Sequence, residues 1–321
     1  MDVLCPGCSR PLVSGTSQWN CSSCSATYPA TLGIPDLRGL GEVQQDEGLA
    51  AIFEGSTFDQ LLRQHSTHFS TTDPVLVERY IAYRKTGDVR GGKFWSMVQG
   101  RIGDGPRNTA VIIGCGSGSM MLHAARVVGQ VVGIDPSLPE LILAKKAAEE
   151  AGLSNITLIQ GYAQKIPYAP GSFDLNVAEN VLEHVHDVDT TISECARTLR
   201  TGGWFAADSA NRYNLLLPEP HVKLMWVGFL PRRWQASYCR WRRGFQNYDR
   251  SVCLPSYLTL SRPLSRYFTR GRVAFPSMDA YGYPKQLDAV FRLIERIPLV
   301  RPMVLSVFPT HLVLATQPRR G

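Results

Sequence analysis

Four cysteines stand in the first twenty-four residues, as CPGC at 5–8 and CSSC at 21–24. Two Cys-x-x-Cys turns with twelve residues between them offer four thiolates in the number and spacing of a tetrahedral Zn2+ site. Cys5, Cys8, Cys21 and Cys24 are therefore the candidate metal ligands. So short a segment buries too little apolar surface to fold alone, and bound metal would supply the missing free energy. The competing use of the thiols is two disulfides. The start, MDVLCPGCSR, lacks a basic stretch followed by an apolar run, so no secretory signal and a cytoplasmic location are expected. Disulfides are disfavoured there.

A second constellation lies at VIIGCGSGS, residues 111–119, where β-formers run into Gly114, Gly116 and Gly118. SMMLHAARVVG follows with apolar residues at helical spacing, then QVVGIDPS, a strand that ends on Asp135. Strand, glycine turn, helix and strand make a βαβ unit. Glycines let backbone N–H groups approach a ligand closely, and a carboxylate at the next strand tip can accept two hydrogen bonds from a ribose diol. Dinucleotide enzymes prefer G-x-G-x-x-G, whereas the order here is G-x-G-x-G.

With the downstream text, ITLIQGYAQKIPYAPGSFDLNVAENVLEHV, this unit resembles the class I methyltransferases that use S-adenosylmethionine. PGSFDLNVAENVLEHVHD and TLRTGGWFAADSANRY are similar to the branch acting on quinones and small metabolites. The resemblance spans about Thr109 to Tyr213, with a last strand at HLVLATQP. It implies an α/β fold, a doubly wound seven-stranded, mostly parallel sheet. It also implies a cofactor lined by Gly114, Cys115, Gly116, Gly118, Asp135, Pro136, Tyr162, Ala163 and Glu179. Two positions depart from the family. Ile112 stands where an acid usually helps bind the methionine amino end, and Tyr162 where an aspartate usually meets the adenine. A tyrosine can stack or donate but is no carboxylate. Other contacts are expected to compensate. The first segment, about Leu4 to Arg38, with its Tyr-Pro and Gly-Ile-Pro-Asp-Leu, resembles the zinc-ribbon activator subunit of RNA and protein methyltransferases. Such a ribbon either recognises RNA or serves as a packing module.

Methyl transfer needs a positioned nucleophile, and a hydroxyl nucleophile needs a base, most often histidine. Candidates belong at the carboxyl ends of the fourth and fifth strands. They are His184 in AENVLEHV, Asn211 and Tyr213 in NRY, and His221 beside two prolines, the candidate general base. On a helix, Glu179 and Glu183 would share a face. Some quinone methyltransferases bind a divalent metal near there, but Asn180 stands in place of one acid, so a second metal is not expected.

The elements that must hold these groups can be read more coarsely. The chain has 321 residues, enough for about two domains. It is 44% hydrophobic and 19% charged, which fits a packed fold, with no run long enough to span a membrane. The expected organisation is a ribbon over 1–38, a linker and helical lid segment over 39–104, and a methyltransferase domain over 105–321. In 39–104, GLGEVQQDEGLA is the linker, and Gly91–Gly92 is expected to break the helical pattern. The net charge of +7 is concentrated in an insertion at 214–250, where seven bases between Val222 and Arg250 face one acid, Asp249. Trp234, Tyr238, Trp241, Phe245 and Tyr248 recur there at spacings of four, three, four and three, one stripe of a helix. Packing is the expected fate of the stripe, against a membrane-surface or a nucleic-acid role. The arginines point to an anionic or lipid-linked substrate ahead of RNA. The reaction expected is methyl transfer to oxygen, nitrogen or carbon of a small metabolite or lipid-linked glycan in a biosynthetic pathway. The alternatives are an RNA-modifying enzyme, or a protein of this fold that transfers no methyl. Nothing in the sequence sets the oligomeric state.

Overall fold

All five residues of the strand Thr109–Ile113 are buried, as expected of a strand covered on both faces. A computed structural model describes residues 1–39, 48–66, 74–103, 107–185, 187–244, 248, 252–281 and 283–319. The core of the expected linker, 40–47, and Phe245, Asp249 and Arg250 lie outside the described residues. The chain divides into two compact units, 1–175 and 176–321.

In the first unit, β1 (Gln18–Asn20), β2 (Thr27–Thr31) and β3 (Ile34–Pro35) form a small antiparallel sheet. Helices α1 (Leu49–Ile52), α2 (Phe58–Ser66), α3 (Pro74–Lys85) and α4 (Gly87–Ile102) follow. Then come β4 (Thr109–Ile113), α5 (Ser119–Ala125), β5 (Gln130–Asp135), α6 (Leu138–Glu150), β6 (Ile156–Gln160) and β7 (Phe173–Ala178). Strands β4, β5 and β6 pair in parallel, with Ile112 opposite Gly133 and Asp135 opposite Gln160.

Helix α4 runs unbroken through Gly91 and Gly92, contrary to expectation. Close packing explains why glycine sits there. A Cβ on Gly91 would lie 2.6 Å from the Ser119 carbonyl oxygen, and one on Gly92 would lie 3.1 Å from His123 Nδ1. These glycines let α4 press against α5, the helix that leaves the glycine loop. Tertiary contact outweighs the roughly 1 kcal/mol that each glycine costs a helix.

The ribbon is docked on the edge of the large sheet. Leu37 N–H donates to Gln160 O at 2.8 Å, Asp36 bridges Gln160 in parallel, and Leu4 N–H donates to Pro167 O at 2.8 Å. Lys165 Nζ donates to Pro6 O at 3.0 Å. Strand β6 ends the sheet, and the ribbon covers the backbone groups that an open edge would expose.

In the second unit, α7 (Val188–Thr198) leads to the long β8 (Leu199–Ala210). Beyond it lie α8 (Arg232–Arg243), α9 (Tyr257–Tyr267), β9 (Phe268–Ala274), α10 (Leu287–Glu295), α11 (Val300–Val307) and β10 (Thr310–Pro318). β10 pairs antiparallel with both β8 and β9. The order of the seven-stranded sheet is β6-β5-β4-β7-β8-β10-β9. This is the doubly wound, mostly parallel arrangement expected, and HLVLATQP is its last strand. Residues after β8 gather a small core of their own, in which Val222, Leu224, Val227, Cys239 and Tyr248 pack with Ala210.

Candidate active site

In the ribbon, each Cys-x-x-Cys turn closes the same way. Cys5 N–H donates to Arg10 O at 2.8 Å and Cys21 N–H to Ala26 O at 2.9 Å. The serine after each second cysteine, Ser9 (φ 59°) and Ser25 (φ 57°), is left-handed. Two equivalent turns thus bring the four Sγ atoms within 4.8 Å of one another, with Cys8–Cys21 at 3.4 Å and Cys5–Cys24 at 3.6 Å. Thiolates about 2.3 Å from a tetrahedral Zn2+ would stand about 3.8 Å apart, so the set fits the ion. The Tyr28 hydroxyl shares a hydrogen bond with Cys5 Sγ at 3.2 Å, an outer contact of the sort that steadies a metal ligand.

Also in the first unit, all three glycines of the loop are left-handed: Gly114 at φ 62°, Gly116 at 49° and Gly118 at 96°. Gly114 and Cys115 N–H groups donate to Ile134 O at 2.7 and 3.1 Å, pinning the loop to β5. At the tip of β5, Asp135 Oδ2 accepts from Gly116 N–H at 2.9 Å and Oδ1 from Ser137 N–H at 2.9 Å. Each oxygen keeps a lone pair for a ligand hydroxyl. Burial pushes this carboxyl up to about 6, against the pull of the two amides. Ser137 caps α6, which places Glu140 one turn later beside Gly116.

Glu140 ties the preceding helices to this loop. Arg84 of α3 grips both its oxygens, with Nη1 2.9 Å from Oε1, and His65 Nε2 of α2 lies 3.4 Å from Oε1. Burial favours the neutral acid, but His65 and Arg84 outweigh it and hold Glu140 down to about 2. Ile112 is sealed inside the sheet against Gly133. The acid absent from that strand is thus not restored nearby in β4. The charges beside the loop are Asp135 and Glu140. Tyr162 is exposed and Ala163 buried, just past the end of β6.

In the second unit, Glu179 to Val185 form a bend and a turn, so Glu179 and Glu183 share no helical face. Asn180 is left-handed (φ 52°) and donates its N–H to Asp208 Oδ1 at 2.7 Å. Asp208, buried near the end of β8, also accepts from the Tyr281 hydroxyl. Burial and the neighbouring Glu183 charge push Asp208 up to about 7, and burial raises Glu183 as well. Glu183 Oε2 is buried without a hydrogen-bond partner. His221 Nδ1 lies 2.5 Å from Glu219 Oε1, whose other oxygen accepts from the His221 and Val222 N–H groups at 2.9 and 2.7 Å. The His184 ring meets that of His221 edge to face, 5.0 Å between centroids. Among the described residues, only the four cysteines cluster as a metal-binding group, not these acids and histidines.

Residues 111–207 match the protein family described as Methyltransferase domain. The chain carries a class I methyltransferase domain. Its sequence is 37% identical over 100 residues to "Ubiquinone biosynthesis O-methyltransferase" of Agrobacterium fabrum, covering 31% of this chain and 40% of that protein. It is 38% identical over 90 residues to "Uncharacterized protein YafE" of Escherichia coli, covering 28% and 44%. The chain thus spans about two fifths of the length of these curated relatives. Phosphoethanolamine N-methyltransferase 2 of Haemonchus contortus, solved with phosphomonomethylethanolamine and S-adenosylhomocysteine, shares the fold. It is 16% identical, with a TM-score of 0.51 over 71% of this chain and 53% of that one.

Within the methyltransferase domain and the segment after it, the expected catalytic residues separate. His184 and His221 come together. Asn211 does not join them: its Nδ2 donates to the carbonyls of Leu305, Ser306 and Phe308 at 3.3, 2.9 and 2.8 Å, and Oδ1 accepts from Tyr213 N–H. It is a buried bolt to the end of α11, with its amide hydrogens committed to backbone. Tyr213 packs its ring on Phe229, 5.3 Å between centroids. Sequence reasoning missed Glu219, Asp208 and Tyr281. Glu219 was findable, two residues before a histidine. Tyr281 is 73 positions from Asp208, and no spacing links them. The aromatic stripe is also not one packed face. Tyr238 and Tyr248 turn inward, while Trp234 is 55% and Trp241 74% exposed.

Proposed function

We propose that this chain is an S-adenosylmethionine-dependent methyltransferase acting on a hydroxyl oxygen of a small metabolite or lipid-linked molecule. One observation carries the reading: the Asp135 carboxylate at the tip of β5, bonded to the Gly116 amide of a left-handed glycine loop. Gly114, Cys115, Gly116 and Gly118 would line the methionine end of the cofactor, Asp135 and Pro136 the ribose, and Tyr162 and Ala163 the adenine. Arg84 and His65, through Glu140, would hold the helices before β4 as a cover on that loop.

The cofactor supplies an electrophilic methyl group on a sulfonium. The protein must position the acceptor and remove its proton. Glu219 holds Nδ1 of His221, which leaves Nε2 as the basic atom able to take a hydroxyl proton. His184 meets that ring edge to face and would fix its plane. Tyr281, half-buried and tethered to Asp208, offers a phenol to a second polar group of the acceptor. Oxygen is favoured as the acceptor atom because relatives are named for O-methylation. An anionic or lipid-linked acceptor is supported by α8, where exposed Trp234 and Trp241 stand among Arg233, Arg240 and Arg242. The four ribbon cysteines would hold structural Zn2+.

Calorimetry with S-adenosylmethionine and S-adenosylhomocysteine tests the reading. Both should bind, and Asp135→Ala should weaken binding by roughly tenfold or more, the value of a hydrogen bond to a charged group. Methyl label should pass to a phenolic probe such as catechol. If neither compound binds the wild-type chain, the proposal fails. Binding without transfer to any hydroxyl, amine or carbon acceptor would favour the reading in which the fold is kept but no methyl moves.

A further inference from the structure

Among the described residues, helices α10 and α11 and the turn between them leave an apolar face uncovered. Leu287, Val290, Leu293, Ile297, Leu299 and Met303 are all exposed, Leu299 by 82% and Met303 by 72%. No residue of α10 is buried. What anchors the pair is Phe291, whose ring packs on Phe275 and Phe308 with centroids 4.8 and 5.0 Å away. The outward residues of α10, Leu287, Val290 and Leu293, recur at three-residue steps, a stripe along one side of the helix that Ile297 and Leu299 extend into the turn beyond it. Contiguous exposed apolar surface of this kind marks an interaction site.

Cations border that stripe. Lys285, Arg292 and Arg296 line a groove of about 600 Å³ together with Asp288 and Leu293. Asp288 lines the same groove, its Oδ2 3.9 Å from Arg292 Nη2, and both acids of the segment also hold backbone. Asp288 accepts from Met278 N–H at 2.8 Å and Ser277 Oγ at 3.1 Å, and Glu295 from Phe275 N–H at 3.0 Å. Three cations against one acid leave the groove net positive beside an apolar row.

We infer that α10 and α11 dock this protein on an anionic lipid bilayer, apolar residues in the acyl boundary and a lipid phosphate in the Lys285–Arg292–Arg296 groove. A helix with apolar residues on one side and long cations beside them lies in the plane of a membrane interface, its charged heads reaching the phosphates. Charge decides against a second copy as the occupant, because a two-fold contact would bring the same cations toward each other. Aliphatic side chains decide against RNA, whose bases stack on aromatic rings. The inference does not depend on the reaction proposed above.

The test uses the full chain in vesicle flotation. Phosphatidylcholine vesicles containing about one third phosphatidylglycerol should carry the protein, and pure phosphatidylcholine vesicles should not. Added salt should weaken the binding. Leu299→Glu with Met303→Glu should reduce it by about tenfold or more. Arg292→Glu with Arg296→Glu should remove the preference for anionic lipid. Both pairs should leave binding of S-adenosylhomocysteine unchanged, which separates loss of docking from loss of fold. Three results would overturn the inference: vesicle binding lost only on Trp234→Ala with Trp241→Ala, a dimer in sedimentation that Leu299→Glu dissolves with no lipid binding, or tRNA retained where vesicles are not. If lipid binds and no methyl transfer is ever found, the docking stands and only the reaction falls.

Discussion

Asp208 is a carboxyl kept out of water beside another carboxyl, Glu183, with the Tyr281 phenol and the Asn180 amide as hydrogen-bond donors. Its folded value of about 7 lies above the roughly 3.9 of an unfolded aspartate. Between those values the folded chain keeps a proton that the unfolded chain has released, so this group's contribution to stability is full below about pH 4 and is lost as pH rises through 7. Asp208→Asn should flatten that dependence. Its melting temperature relative to wild type should rise between pH 5 and pH 7.5 in thermal scans, and no change in that difference would contradict the buried pair. Glu219 belongs to the same scale. As a positioning residue for His221, its loss in Glu219→Gln should lower kcat on a phenolic acceptor roughly ten- to a hundredfold with KM little changed. Partial rescue by Glu219→Asp would separate charge from shape.

Helix α4 shows how an element is decided by its neighbour. Gly91 and Gly100 both lie in it, but only the first is pressed against another helix. Gly91→Ala must push a methyl to within 2.6 Å of the Ser119 carbonyl, whereas a Cβ on Gly100 meets nothing within 4 Å. Denaturant unfolding should show Gly91→Ala destabilised by about 1–3 kcal/mol, and Gly100→Ala stabilised by about 0.5–1 kcal/mol. The same packing hands its strain to the glycine loop, since Ser119 opens α5. Cofactor affinity should therefore fall in Gly91→Ala and hold in Gly100→Ala.

Across the first unit, the ribbon and the sheet share an edge, so metal bound at one end supports backbone pairing at the other. Leu4 and Pro6, which bond to Pro167 and Lys165, flank Cys5 directly in the chain. Removing Zn2+ with a chelator should release one ion per chain and lower the melting temperature. It should also speed amide exchange in β6, where the ribbon otherwise covers the strand. Unchanged exchange in β6 would mean that the ribbon is held without the metal. The second unit shows no comparable cover over α10 and α11 among the described residues. In no described residue is there a helix long and apolar enough to cross a membrane.

Local rules were enough for much of this protein. Cysteine spacing specified the four-thiolate turns, because each turn closes within six residues. Glycine positions and a strand tip specified the loop and Asp135, because a βαβ unit is nearly self-contained. The last strand was legible from the family resemblance. What lay beyond the sequence depended on contacts between distant residues. Gly91 reads as a helix breaker until α5 is seen beside it. Asn211 reads as a free amide at a strand end until the carbonyls of 305–308 claim it. Trp234 and Tyr238 share one periodic stripe, yet one faces solvent and the other a small core, because helical spacing records only the angle around an axis. Which side of that axis finds a partner is set by how the rest of the chain packs, and no local pattern carries that information.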